Sequence, residues 1–219
     1  MLEEEWSYAV RRVSRGRRLM VRVDPERGVE VLLPAGAPIR AAAAAVSELR
    51  PWIEQQLAER SRLRERLRRP GTVPYLDEEL ALVPQPGRAR AARRGGELLV
   101  PAGEGARASI ERWYRRCARA EIGARLDAAT AITGTPHRGL TIRNQRTRWA
   151  SCASDGGMSF NWRLLLAPER VLDYVVWHEV CHLDLPDHSP RFWALLGERC
   201  PQWREPAAWL AEFGPALVL

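Results

Sequence analysis

The chain has 219 residues, 46% of them hydrophobic and 28% charged, which is the balance of a folded globular protein long enough for one or two cores. No run of about 18 apolar residues occurs, so a membrane-spanning helix is excluded, and the acidic start Met1-Leu2-Glu3-Glu4-Glu5 lacks the pattern of a signal peptide. The net charge of +7 rests entirely on arginine, since the chain has no lysine. That compositional bias accounts for much of the charge and leaves nucleic acid as a partner neither indicated nor excluded.

The first elements read as strands over Tyr8-Ala9-Val10 and Leu19 to Val23, a turn over Asp24-Pro25-Glu26-Arg27-Gly28, and a returning strand over Val29 to Leu33. Helices are expected from about Ile39 to Leu49 and from Pro51 to about Arg69. The run Arg60, Arg62, Arg64, Arg66, Arg68, Arg69 spreads over several helix faces, either as a solvated helix end or as a phosphate-binding surface. Pro70-Gly71 and Pro74 mark a break, which sets the expected division at residues 1–70 and 71–219.

Beyond it, Leu80 to Val83 reads as a strand and Gly95-Gly96 as a turn. Glu97-Leu98-Leu99-Val100-Pro101-Ala102-Gly103 then echoes Glu30-Val31-Leu32-Leu33-Pro34-Ala35-Gly36. Each is followed by a helix, the second from about Arg107 to Ile132, as an internal duplication would give; strand-to-helix joints also favour Pro and Gly on their own account. Three further strands follow at Leu140–Arg143, Arg148–Cys152 and Met158–Trp162, with a turn at Ser154-Asp155-Gly156-Gly157, and they are expected to form an antiparallel sheet. Arg148, Asn161 and Arg163 are its polar residues placed either to face a cleft and bind substrate or to tie sheet to helix.

A buried helix follows Pro168, apolar nearly all the way round, and ends before Pro186. It carries His178-Glu179-Val180-Cys181-His182. Positions i and i+4 share a helix face, so His178 and His182 can turn imidazole nitrogens to one point, as zinc ligands at about 2 Å must. Glu179 is rotated by about 100° and can reach a water without being a ligand, in the manner of a general base. His188 stands just before Ser189-Pro190, an N-cap and first helical position for a helix over Arg191 to about Arg199. It is either a loop histidine or the third ligand of a set that leaves one position open. The spacing equals that of the long metzincin motif, with Leu185 where that motif has glycine, so the chain must turn back by another route. The four cysteines, Cys117, Cys152, Cys181 and Cys200, form no C-x-x-C pair and read as core residues in a reducing cytoplasm.

Arg148-Trp149-Ala150-Ser151-Cys152, Asn161-Trp162-Arg163-Leu164, the H-E-x-x-H stretch and His188-Ser189-x-x-Phe192-Trp193 together resemble the YgjP-like metallopeptidases, relatives of the SprT-like and WLM-type zinc peptidases. The resemblance covers most of the chain and is strongest from about residue 139 to 195; the family usually has glycine where Ala150 stands. It implies an α+β fold with a zincin-like catalytic core, a three-stranded sheet packed on the H-E-x-x-H helix. It also implies zinc on His178, His182 and His188, with Glu179 as base. The expected function is a zinc-dependent hydrolase, a metallopeptidase acting on extended peptide or protein. Two alternatives stand beside it: a nucleotide pyrophosphatase, with Arg143, Arg146 and Arg148 around a triphosphate, and a non-catalytic metal module closed by a fourth ligand such as His137. No C-terminal zinc ribbon of the SprT type follows the motif helix, which argues against a DNA-linked role.

Overall fold

The computed structural model describes residues 6–14, 16, 18–24, 27–145 and 147–219. The acidic start Met1 to Glu5, Pro25 and Glu26 of the expected turn, and Arg146 lie outside the described residues. The chain divides into two compact units, one reaching to Leu67 and the other spanning Arg68–Leu217.

The first unit runs β1 (Tyr8–Val13), β2 (Met20–Asp24), β3 (Gly28–Pro34), α1 (Arg40–Glu48) and α2 (Arg50–Leu67). Alternation in β3 puts Val29, Val31 and Leu33 on one buried face. Val23, Val29, Val31, Ala42, Val46 and Ile53 form the core there. Helix α2 buries only Ile53 and Leu63, consistent with its run of charged residues. Arg60 of that run donates to the Val23 carbonyl, so part of the basic stretch is tied to the sheet.

The second unit contains β4 (Thr72–Tyr75), β5 (Glu78–Gln85), β6 (Ala92–Arg94), β7 (Glu97–Pro101), α3 (Ala106–Thr133), β8 (Gly139–Arg143), β9 (Ala150–Cys152), β10 (Gly157–Asn161), a 3-10 helix (Trp162–Leu166), α4 (Glu169–Cys181), α5 (Pro190–Arg199) and α6 (Arg204–Phe213). Two elements differ from the sequence expectation, each for a hydrogen-bonding reason. Pro74 does not break the chain but sits in β4, at the edge of the order β4-β5-β7-β6, where a strand can do without one donor. Its carbonyl accepts the Tyr114 hydroxyl. Trp162 does not extend β10; it opens the 3-10 helix, because Asn161 Oδ1 accepts the Arg163 N–H at 3.1 Å and caps it. Beyond α5, a further helix, α6, buries Pro206, Leu210 and Phe213 at spacings of four and three.

The sheets are mixed, not antiparallel. β1 pairs parallel with β3 while β2 pairs antiparallel with it. The same holds for β5, β7 and β6, and again for β8, β10 and β9. Each triplet thus has its third strand in the middle, its second as a hairpin partner and its first on the far side, and each leads into a helix. Alternation reveals which face a strand buries but not the direction of its neighbour, which is why the sequence reading missed this.

Helix α4 is fixed on α3 by Arg125, whose Nε donates to Asp173 at 2.9 Å and whose guanidinium also holds Glu121 and Glu169. Behind it, Tyr114, Trp113, Tyr75 and Trp162 form an aromatic cluster with ring centroids 4.9–6.3 Å apart.

Candidate metal centre

Helix α4 ends at Cys181, and His182 is its C-cap with helical dihedrals of −70° and −14°. The i,i+4 geometry therefore survives to the last turn. His178 Nε2 lies 3.2 Å from His182 Nε2 and 3.0 Å from His188 Nε2. His178, His182 and His188 are the cluster of possible metal ligands found among the described residues.

The chain returns to bring His188 back without a left-handed residue. The Leu183, Asp184 and Leu185 amides donate to the carbonyls of Val180 and Cys181 at 2.9–3.2 Å, tightening the last turn. Asp184 then takes the Arg199 guanidinium at 2.6 Å and the Thr135 hydroxyl at 3.3 Å. Asp187 accepts the Ser189 N–H at 3.0 Å, just before α5 begins at Pro190.

Burial disfavours a charge on two of these imidazoles, His178 and His182. Burial, with the neighbouring imidazoles as lesser causes, pushes the His178 pKa down to about 4. Burial also lowers His182, opposed by its bond to the Leu185 carbonyl. That bond, 3.0 Å from Nδ1, assigns the His182 proton to Nδ1 and leaves the Nε2 lone pair for a ligand. His188 has no such carbonyl: its ring stacks on Trp193 at 5.6 Å and 28°, Trp193 on Trp203 at 4.8 Å and 24°, and the Arg204 guanidinium lies 4.7 Å over Trp203. Phe192 packs against all three imidazoles.

Three imidazole nitrogens turned toward one another at 3.0–3.2 Å cannot all be satisfied by one another, and a cation among them would satisfy them. Tetrahedral zinc with nitrogens at about 2.0–2.1 Å requires nitrogen separations of about 3.3 Å, close to the two separations seen. The donor set thus fits zinc. His137, the sequence candidate for a fourth ligand, lies against Asp127 at 3.0 Å and does not join the cluster.

Glu179 is 6% exposed, and its Oε2 has no hydrogen-bond partner among the described residues. Burial pushes its pKa up to about 7, opposed by a hydrogen bond from the Cys152 backbone N–H and by the Arg148 charge. A buried carboxylate oxygen is thus left without a donor next to the histidine cluster in sequence.

The neighbouring strand β9 is an edge strand. Asn161 donates to the Trp149 carbonyl at 2.7 Å, Ser151 pairs with Ser159, and Ala153 donates to the Gly157 carbonyl at 2.8 Å. Backbone groups of residues 149, 151 and 153 are thereby turned to β10. By alternation those of Ala150 and Cys152 face the free edge, where the Cys152 N–H meets Glu179.

The three residues proposed from sequence for substrate have different fates. Asn161 and Arg163 are 2% and 7% exposed. Asn161 Nδ2 donates to the Gln145 carbonyl at 2.8 Å, and Arg163 donates to the Asn144 side chain while lying over the Trp162 ring. Together they hold Asn144 and Gln145 at the end of the sheet. Arg148, a few residues on, is exposed. Arg143 donates to the Ser159 hydroxyl at 3.1 Å, on the sheet face away from the buried Met158 and Phe160.

A family model described as the YgjP-like metallopeptidase domain matches residues 17–213. The chain belongs to the YgjP-like metallopeptidase family. A solved structure described as the metallopeptidase zymogen of Pyrococcus abyssi abylysin is 20% identical, with a TM-score of 0.36, over 42% of this chain and 95% of that one. A search of curated proteins gives no match. Among the described residues, no helix of this YgjP-like chain is long and apolar enough to cross a membrane. The sequence motif had signalled the histidines and Glu179. Phe192 and Trp193 were quoted only as part of the resemblance, and Asp184, Arg199 and Trp203 had no signal beyond their chemistry.

Proposed function

We propose that this protein is a zinc-dependent peptidase with a zincin-like core, in which β8–β10 cover helix α4. The observation that carries the reading is the meeting of three imidazole nitrogens and an unpartnered carboxylate oxygen beside a free strand edge. His178, His182 and His188 would hold the ion. Zinc, when bound, supplies Lewis acidity, polarising a carbonyl and making water acidic near pH 7.

The chain's own residues then do the rest. An extended peptide pairs with the outward Ala150 backbone groups and the Cys152 carbonyl, the Cys152 N–H being held by Glu179, which fixes the scissile carbonyl near α4. Glu179 accepts a proton from the attacking water at Oε2 and returns it to the leaving nitrogen. Burial, which favours the protonated form of this carboxylate, suits it to take up the proton. The Leu185 carbonyl and the Trp193 ring hold His182 and His188 in place.

The test is an assay of zinc-loaded protein against an unstructured protein and a panel of nucleoside triphosphates, with Glu179→Gln as blank. Glu179-dependent cleavage of the protein is the expected result. Pyrophosphate release with no peptide cleavage overturns the reading in favour of a nucleotide pyrophosphatase.

A further inference from the structure

The most informative group outside the proton-transfer machinery is Arg148. Two buried polar side chains, Asn161 and Arg163, hold Gln145 and Asn144, and Trp149 packs on Gly214 so closely that a Cβ there would lie 3.0 Å from its ring. Arg148 stands two residues before Ala150, where the edge strand begins. Pairing with β10 reaches back to Trp149, whose carbonyl accepts the Asn161 N–H at 2.7 Å, and Arg148 is the next residue out, leading into the strand face formed by Ala150 and Cys152. That face holds the buried Met158 and Phe160 and turns toward α4. The Arg148 guanidinium forms no hydrogen bond or ion pair with any described residue, yet its charge reaches the Glu179 carboxylate. Most other arginines near this sheet are occupied: Arg163 by Asn144 and Arg143 by Ser159.

A peptide lying along β9 passes this guanidinium within a few residues of the bond that Glu179 addresses. A planar fork of donors with no partner among the described residues suits a carboxylate, which it can hold with two parallel bonds. We propose that Arg148 forms a carboxylate subsite at the end of the docking edge, so that preferred substrates carry a carboxylate a few residues from the scissile bond. The carboxylate is an acidic side chain or the peptide's own C-terminus. The inference rests on the peptidase reading and adds the substrate class.

The experiment uses the full, zinc-loaded chain and a set of peptides sharing one cleavable bond. Glu, Gln or Lys is placed at each of three positions on either side, with free or amidated C-termini. At one position Glu is preferred over Gln by about tenfold in kcat/KM, and Lys is disfavoured. If the side chain is the source, amidation has no effect; if the terminus is, the preference follows the free carboxylate and ignores the side chain. In Arg148→Gln the preference ratio falls below about threefold, while Arg148→Lys keeps part of it. Zinc content and near-ultraviolet circular dichroism report whether either variant is otherwise intact. Equal cleavage of every peptide by the wild type, or a preference that survives Arg148→Gln, overturns the subsite and leaves the peptidase reading standing. Cleavage of none of the peptides, with zinc bound, overturns that reading and the subsite with it.

Discussion

Glu179→Gln offers a test in which stability and activity move in opposite directions. In the metal-free protein the Glu179 carboxyl is almost fully buried, and burial raises its pKa from 4.5 to about 7. A folded-state pKa above the unfolded value means that the native protein favours the protonated form. Stability from this group is therefore fully present below about pH 4.5 and is lost as pH rises through about 7. The difference corresponds to about 3 kcal/mol between the two limits, and burial leaves little solvent screening to reduce it. Glutamine mimics the neutral acid. The variant should match the wild type at pH 4 and exceed it by about 2–3 kcal/mol at pH 8. His178, whose pKa is depressed to about 4, acts in the other sense: its contribution is present above pH 6.5 and lost as pH falls through about 4. It is shared by both proteins and so drops out of the comparison. The assay is denaturant unfolding of chelator-treated protein at both pH values, followed by hydrogen exchange of α4 amides so that the unit holding Glu179 is the one read. With zinc bound, the added positive charge favours the carboxylate and should shrink the gain at pH 8. Equal stability at pH 8, or a less stable variant, would refute the assignment of a strained, desolvated carboxylate.

The same variant should keep about one zinc per chain by elemental analysis and lose activity by about 10²-fold or more, whereas His178→Ala should lose the zinc; equal metal in both would exclude the triad as the site. Trp193→Ala should weaken zinc binding by about tenfold or more in competition with a chromophoric chelator, and Trp193→Phe should restore most of it, because stacking is what holds the His188 ring. Unchanged affinity in the alanine variant would dismiss that role. Asn161→Ala removes the cap of the 3-10 helix and the bond to Gln145, and should cost about 1–3 kcal/mol, read as a fall in the midpoint of unfolding of the second unit.

Local signals in the sequence carried what local physics decides. The i,i+4 histidines and the intervening glutamate depend only on helix pitch, so their common face was legible before any fold was known. Ser189-Pro190 marked the start of α5 for the same reason, since a proline at the first helical position loses no intrahelical bond. The echo of Glu30 to Gly36 in Glu97 to Gly103 showed that strand-to-helix joints recur, and the structure adds that a three-strand topology recurs with them, in three places.

What remained hidden depends on partners distant in sequence. Strand direction is chosen by which edge the first strand of each triplet reaches, and a two-residue period is the same in parallel and antiparallel pairs. β6 exposes all three of its residues and shows no apolar pattern, and Pro74 marks a strand only because β4 lies at an edge. The roles of Asn161 and Arg163 turned on a segment some sixteen to nineteen residues upstream that only folding brings alongside. The tertiary structure alone decides the chemistry of Glu179: the sequence places a carboxylate next to His178, but burial under β9 strips it of water and raises its pKa.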